Sequence, residues 1–130
     1  MKSKVEQDNM SIVHQDSKQE LILQKTKDLT AAICSTKAYR QYRKNLIVLK
    51  ENEEIRQKLN AFRRKRIELD ELDEGMAEEE AALMDEYKDI LNLPLVTNFL
   101  TSEALMNRML KAVYDRIAED VRIDLSYLDQ

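Results

Sequence analysis

"NLPLVTNFLTSEALMNRMLKAVYDRIAEDV", residues 92–121, holds the only proline of the chain and, after it, the longest unbroken hydrophobic pattern. Leu95, Phe99, Met106, Leu110, Val113, Ile117 and Val121 recur at steps of three, four or seven residues. That is the spacing of one face of an α-helix. The stretch predicts a helix from about residue 95 to 121, roughly 40 Å long at 1.5 Å per residue. Pro94 suits the first turn, where its missing N–H has no partner to lose. Asn92 can cap this helix if Pro94 is its second residue, whereas Leu93 is a poor cap if Pro94 is the first. Leu105, Met109 and Ala112 widen the apolar sector beyond what one neighbouring helix covers.

The segments before it read the same way. Ser17 with Glu20 fits a capping box, and Ile22, Thr26, Leu29 and Ile33 follow at helical spacing up to Cys34. After "CST" a second helix carries Tyr39, Tyr42, Leu46 and Leu49. Asn52, followed by Glu53 and Glu54, offers a cap for a third, through Ile55, Leu59, Phe62, Arg66 and Leu69. Whether the second and third helices are separate or one bent helix stays open. Gly75, the single glycine, places a turn, and a fourth helix carries Leu83, Tyr87, Ile90 and Leu91. Residues 1–16 read as a loose tail, 17–124 as one helical domain and 125–130 as a C-terminal tail.

Composition supports this. One Gly and one Pro in 130 residues leave nothing from which to build hairpins, so sheets are excluded. Charged residues make up 35% and apolar residues 43%, with only 5% aromatics, so the core is aliphatic. The expected fold is all-α, with four to five helices in an antiparallel bundle completed by dimerisation.

Chemistry is conspicuous by what it lacks. His14 is the only histidine and falls in the tail, so neither a Ser-His-Asp nor a Cys-His arrangement can form. Cys34 is the only cysteine; it forms no disulfide within the chain and reads as a small, half-buried residue. The acidic stretch 68–80 has neither EF-hand spacing nor a Glu-x-x-His motif, and reads as a solvated connector. One glycine cannot make a phosphate loop. We therefore expect no enzyme, no cofactor and no metal. No run of 18 apolar residues spans a membrane, and the N-terminus lacks the apolar core of a signal peptide. A cytoplasmic protein is the expectation.

The net charge of −4 argues against a dedicated nucleic-acid binder. The rival reading is a nucleic-acid-associated protein using the basic segment 37–66. Within it, "RRKR" (63–66) points in four directions around a helix and makes no single basic face. Arg66, however, falls about 20° from Ile55 on a helical wheel, inside the apolar stripe. On the last helix Glu103 falls about 80° from Leu95, also inside the apolar face. A carboxylate there calls for a partner, and Arg66 is the expected one, with Tyr39, Tyr42, Tyr87 and Arg43 as alternatives. The candidate interaction face comprises Phe99, Leu100, Met106, Met109, Leu110, Val113 and Ile117.

Four stretches, "STKAYRQYRKN" (35–45), "NEEIRQKLNAFRRKR" (52–66), "NLPLVTNFLTSEALMNRML" (92–110) and "RIAEDVRID" (116–124), together resemble the YlbF/YmcA family, also called the Com_YlbF domain. The likeness covers roughly residues 18–124. It implies an all-helical, self-associating cytoplasmic protein without catalytic activity of its own. It further implies a regulator of competence, sporulation and biofilm formation. Such regulators act in hetero-complexes with family paralogues and affect messenger-RNA processing through RNase Y. The family also holds paralogues without such a developmental role, for which an uncharacterised helical homodimer is the matching reading. The sequence departs from the family twice. Asn92-Leu93-Pro94 stands where Asn-Pro is usual, and the chain ends "SYLDQ" where some members carry cysteines that fit cluster binding.

Overall fold

The computed structural model describes residues 17–72 and 76–122. The expected tails at 1–16, with His14, and at 125–130, and the turn at Gly75, lie outside the described residues. All regular structure among the described residues is helical. The helices are α1 (Ser17–Cys34), α2 (Lys37–Glu51), α3 (Glu53–Glu71), α4 (Ala77–Glu86), α5 (Lys88–Leu91) and α6 (Pro94–Val121).

Among the described residues six helices appear where four to five were expected, and local geometry explains the difference. Asn52 interrupts α2 and α3 with φ −109° and ψ 76°. Its side chain makes no cap for α3. Instead Asn52 Nδ2 donates to the Val48 carbonyl at 2.8 Å, closing the end of α2, while its own carbonyl accepts the Arg56 N–H at 2.9 Å. One residue thus ends one helix and starts the next. At Tyr87 the backbone again leaves helical geometry, dividing the expected fourth helix into α4 and α5. The Tyr87 ring lies 5.6 Å from Phe62.

Pro94 is the first residue of α6, with Leu93 at the N-cap position. Leu93 has no side chain able to cap, and none is used. Its carbonyl accepts from Val96 at 3.0 Å and Thr97 at 2.9 Å, and its side chain packs against the core. Leu93 therefore offers apolar burial in place of a side-chain cap. Asn92 belongs to the end of α5, its N–H bonded to the Lys88 carbonyl at 3.0 Å. At the far end of α6, Arg122 adopts the left-handed conformation that closes helices, at φ 55°.

The chain divides into two units at Lys37. In the first, α1 has no buried residue, and Cys34 is exposed rather than half-buried. The Ser35 and Thr36 hydroxyls donate to the Ala32 and Ile33 carbonyls, each at 2.7 Å, and finish the helix. In the second, Leu49, Leu59, Phe62, Leu83, Val96 and Phe99 form one core fed by α2, α3, α4 and α6. Tyr42, Leu46, Ile55, Leu69, Ile90 and Leu91 close around it.

A core this small makes each member costly to truncate. Leu59 is 1% exposed, and Leu59→Ala is expected to lower unfolding free energy by about 2–5 kcal/mol in urea titrations. Ile67 is 57% exposed on the same helix, and Ile67→Ala is expected to stay within about 0.5 kcal/mol.

Candidate interaction face

The face expected on the last helix is built on α6, and its first half is occupied by the chain itself. Phe99 is 4% exposed. The Tyr42 ring of α2 stands 5.9 Å from it, tilted by 34°. The Arg63 guanidinium of α3 covers it at 5.4 Å from the ring centroid. From α2, Asn45 Nδ2 donates to the Ser102 hydroxyl at 3.1 Å and to the Asn98 carbonyl at 3.2 Å. Ser102, itself buried, donates onward to the Asn98 and Phe99 carbonyls. A small hydroxyl at this position lets α2 approach α6 while every polar atom keeps a partner.

Glu103 does sit in this region and does have a cationic partner, but the partner is Arg63. Arg63 Nη2 lies 2.6 Å from Glu103 Oε1 and Nη1 lies 3.1 Å from Oε2, a two-pronged fork. The expected Arg66–Glu103 pair is corrected accordingly. Arg66 is exposed and borders a small groove with Phe62, Ala77, Glu80 and Met84, on the α4 side of α3. The helical wheel placed Arg66 inside the apolar stripe, whereas it is exposed, and Glu103 of α6 meets Arg63 instead. The wheel cannot say from which side a neighbour arrives.

The other named residues divide along α6. Met106 is buried, and Leu100, Met109 and Val113 are half-buried. Leu110 and Ile117 are exposed, and so are Tyr114 and Val121 beside them, which the sequence reading left out of the face. Leu110, Tyr114, Ile117 and Val121 follow one another at steps of four, three and four. That interval marks a helix seam and was readable from the sequence. Their exposure was not.

The basic segment 37–66 is not an open strip. On α3, Arg56 pairs with Glu53, Lys58 with Glu54, Arg63 with Glu103 and Lys65 with Glu86. Lys65 also lies 5.1 Å over the Tyr87 ring. Tyr87 and then Glu86 hold its ammonium above the ordinary lysine range. Arg64 and Arg66 belong to none of these pairs, so part of α3 remains cationic. A groove of about 690 Å³ runs between α2 and α6, lined by Lys44, Asn45, Val48, Leu95, Asn98 and Leu105 among others. Its buried polar groups are already bonded to one another. No three His, Cys, Asp or Glu side chains among the described residues are grouped to hold a metal ion. No helix among them is long and apolar enough to cross a membrane.

Residues 22–122, from the first turns of α1 to the cap of α6, match the family model described as control of competence regulator ComK, YlbF/YmcA. The chain belongs to the YlbF/YmcA family. Membership implies a function related to competence regulation. Comparison with curated proteins and with solved structures gives no match. In this YlbF/YmcA-family chain, then, the last helix has two roles. Val96 and Phe99 join the core and Met106 is buried beyond them, while Leu110, Tyr114, Ile117 and Val121 are exposed, with Ala118 buried between them.

A double-mutant cycle on Arg63 and Glu103, read by urea denaturation, is expected to return a coupling of about 1 kcal/mol, high for a part-exposed pair because the fork is two-pronged. The same cycle on Arg66 and Glu103 is expected to return no coupling.

Proposed function

We propose that this protein is a non-enzymatic regulatory adaptor of the cytoplasm that works through helix-face contacts. It self-associates as a homodimer and joins family paralogues in a hetero-complex that influences RNase Y-dependent messenger-RNA processing. The observation that carries the reading is the exposed stripe Leu110–Tyr114–Ile117–Val121 on a helix whose other half carries Val96, Phe99 and Met106 into the interior. Four large apolar side chains in helical register, each about half exposed, form the kind of continuous patch that marks a protein interaction site. Family membership supplies the regulatory context. The net charge of −4 favours a protein partner over a nucleic acid.

The test is a deletion strain complemented with the wild-type chain or with Leu110→Glu plus Ile117→Glu. Both positions are exposed, so the variant is expected to keep its helical circular dichroism and lose only its associations. Transcript half-lives and competence should return with the wild-type chain and not with the variant. Full restoration by the folded variant would overturn the assignment of this face.

A further inference from the structure

The ion pairing seen on α3 does not extend to α2. Arg40, Arg43, Lys44, Ile47 and Lys50 are all exposed and fall within a sector of about 120° on a helical wheel. Tyr42, Leu46 and Leu49, which reach the core, lie on the opposite side. Arg43, Lys44 and Lys50 enter no ion pair among the described residues. One carboxylate, Glu51, shares the exposed face, at the last residue of the helix. With Arg40, Arg43, Lys44 and Lys50 against Glu51 alone, α2 is a basic island on a chain of net charge −4.

That face borders the groove of about 690 Å³ between α2 and α6. Val48 of α2 and Pro94, Leu95 and Leu105 of α6 give the groove an apolar lining. Val48 is 36% exposed and Leu105 is 45% exposed. Lys44 is the one charged residue among the described residues that line it. The floor is closed by Asn45, which bonds to Asn98 and Ser102 and ties the two helices together. Thr101 also lines the groove, and Arg108 follows it about two turns later on the same side of α6. Arg108 is exposed and enters no ion pair among the described residues.

An apolar trough between two helices, edged by cations, has the form that accepts an amphipathic helix. The charge of its edges selects acidic flanks on that helix. Nucleic acid is the less apt ligand, because sequence-tolerant strand binding stacks bases on open aromatic rings. On α2 both tyrosines are half-buried, Tyr42 against Phe99. Nor do the open stripes of this chain itself fit. Helix α1 sets Lys18, Lys25 and Lys27 against Glu20 and Asp28, and on residues 110–121 Asp115 and Asp120 are already bonded to Lys111 and Arg116. We propose that the α2–α6 groove docks an acidic amphipathic helix of a different protein. Its apolar side rests on Val48, Leu95 and Leu105, and its carboxylates lie beside Lys44 and Arg108. This gives the adaptor a second contact face and names the chemistry of the partner. Leu110 and Ile117 line no part of it.

The test measures binding of the full chain, by fluorescence anisotropy at low salt, to two labelled synthetic helices and to a single-stranded RNA oligonucleotide. The helices share one leucine stripe; glutamates flank it in the first and lysines in the second. The glutamate-flanked helix is expected to bind at least about tenfold more tightly than the other, and to weaken as salt is raised. Lys44→Glu and Val48→Glu, both at exposed positions, should each weaken it at least about tenfold with helical circular dichroism unchanged, and Lys44→Gln should fall between. Leu110→Glu plus Ile117→Glu should bind it as the wild-type chain does, so the two faces stand or fall separately. Equal binding of both helices, binding indifferent to Lys44→Glu and Val48→Glu, or no binding overturns the docking site. Tighter binding of the RNA, lost in Lys44→Glu, overturns it in favour of nucleic acid. A helix that binds only by breaking a dimer of the chain, followed by sedimentation, overturns it in favour of a second copy.

Discussion

The structure depends on the surroundings of Phe99. One ring on α6 is bracketed by Tyr42 from α2 and by the Arg63 guanidinium from α3, and Arg63 is in turn held by Glu103 one turn further along α6. Hydrophobic burial brings three helices to this point, and the fork gives the contact a register. With α6 slid by one residue the ring would turn by about 100° and Glu103 would leave the reach of Arg63. In a chain with few aromatics and a handful of buried residues, such a directional contact supplies specificity that aliphatic packing alone does not.

The same economy shapes the rest of the molecule. The core is thin, and two of its junctions, α2–α3 at Asn52 and α4–α5 at Tyr87, are single residues. Asn52 closes α2 and opens α3, and Leu93 starts α6 with its carbonyl while its side chain packs inward. Long helices around a small core leave apolar length over. On α6 that surplus is Leu105, Leu110, Tyr114, Ile117 and Val121, and α1 has no buried residue at all.

The sequence made the surplus visible without locating it. The hydrophobic period of 95–121 named Phe99, Met106, Leu110, Val113 and Ile117 as one face, because all five share a side of the helix. The structure divides them by position along the axis: Phe99 and Met106 are covered, Leu110 and Ile117 are not. A helical wheel projects that axis away. Charge was read with the same limit. Glu103 was placed inward and given an arginine, but one turn of α3 offers several, and the packing direction chose Arg63 over Arg66.

What the sequence determined by itself is therefore the class of object. One glycine, one proline and an unbroken 3.6-residue period admit only helices, and the ordered motifs from 35 to 124 carried the family. Those are local properties, written in neighbours a few residues apart. Only the tertiary structure decided which arginine meets Glu103, which half of α6 is enclosed and that α1 buries nothing of its own. Each of these depends on where a distant segment comes to rest, and periodicity along one helix holds no record of that.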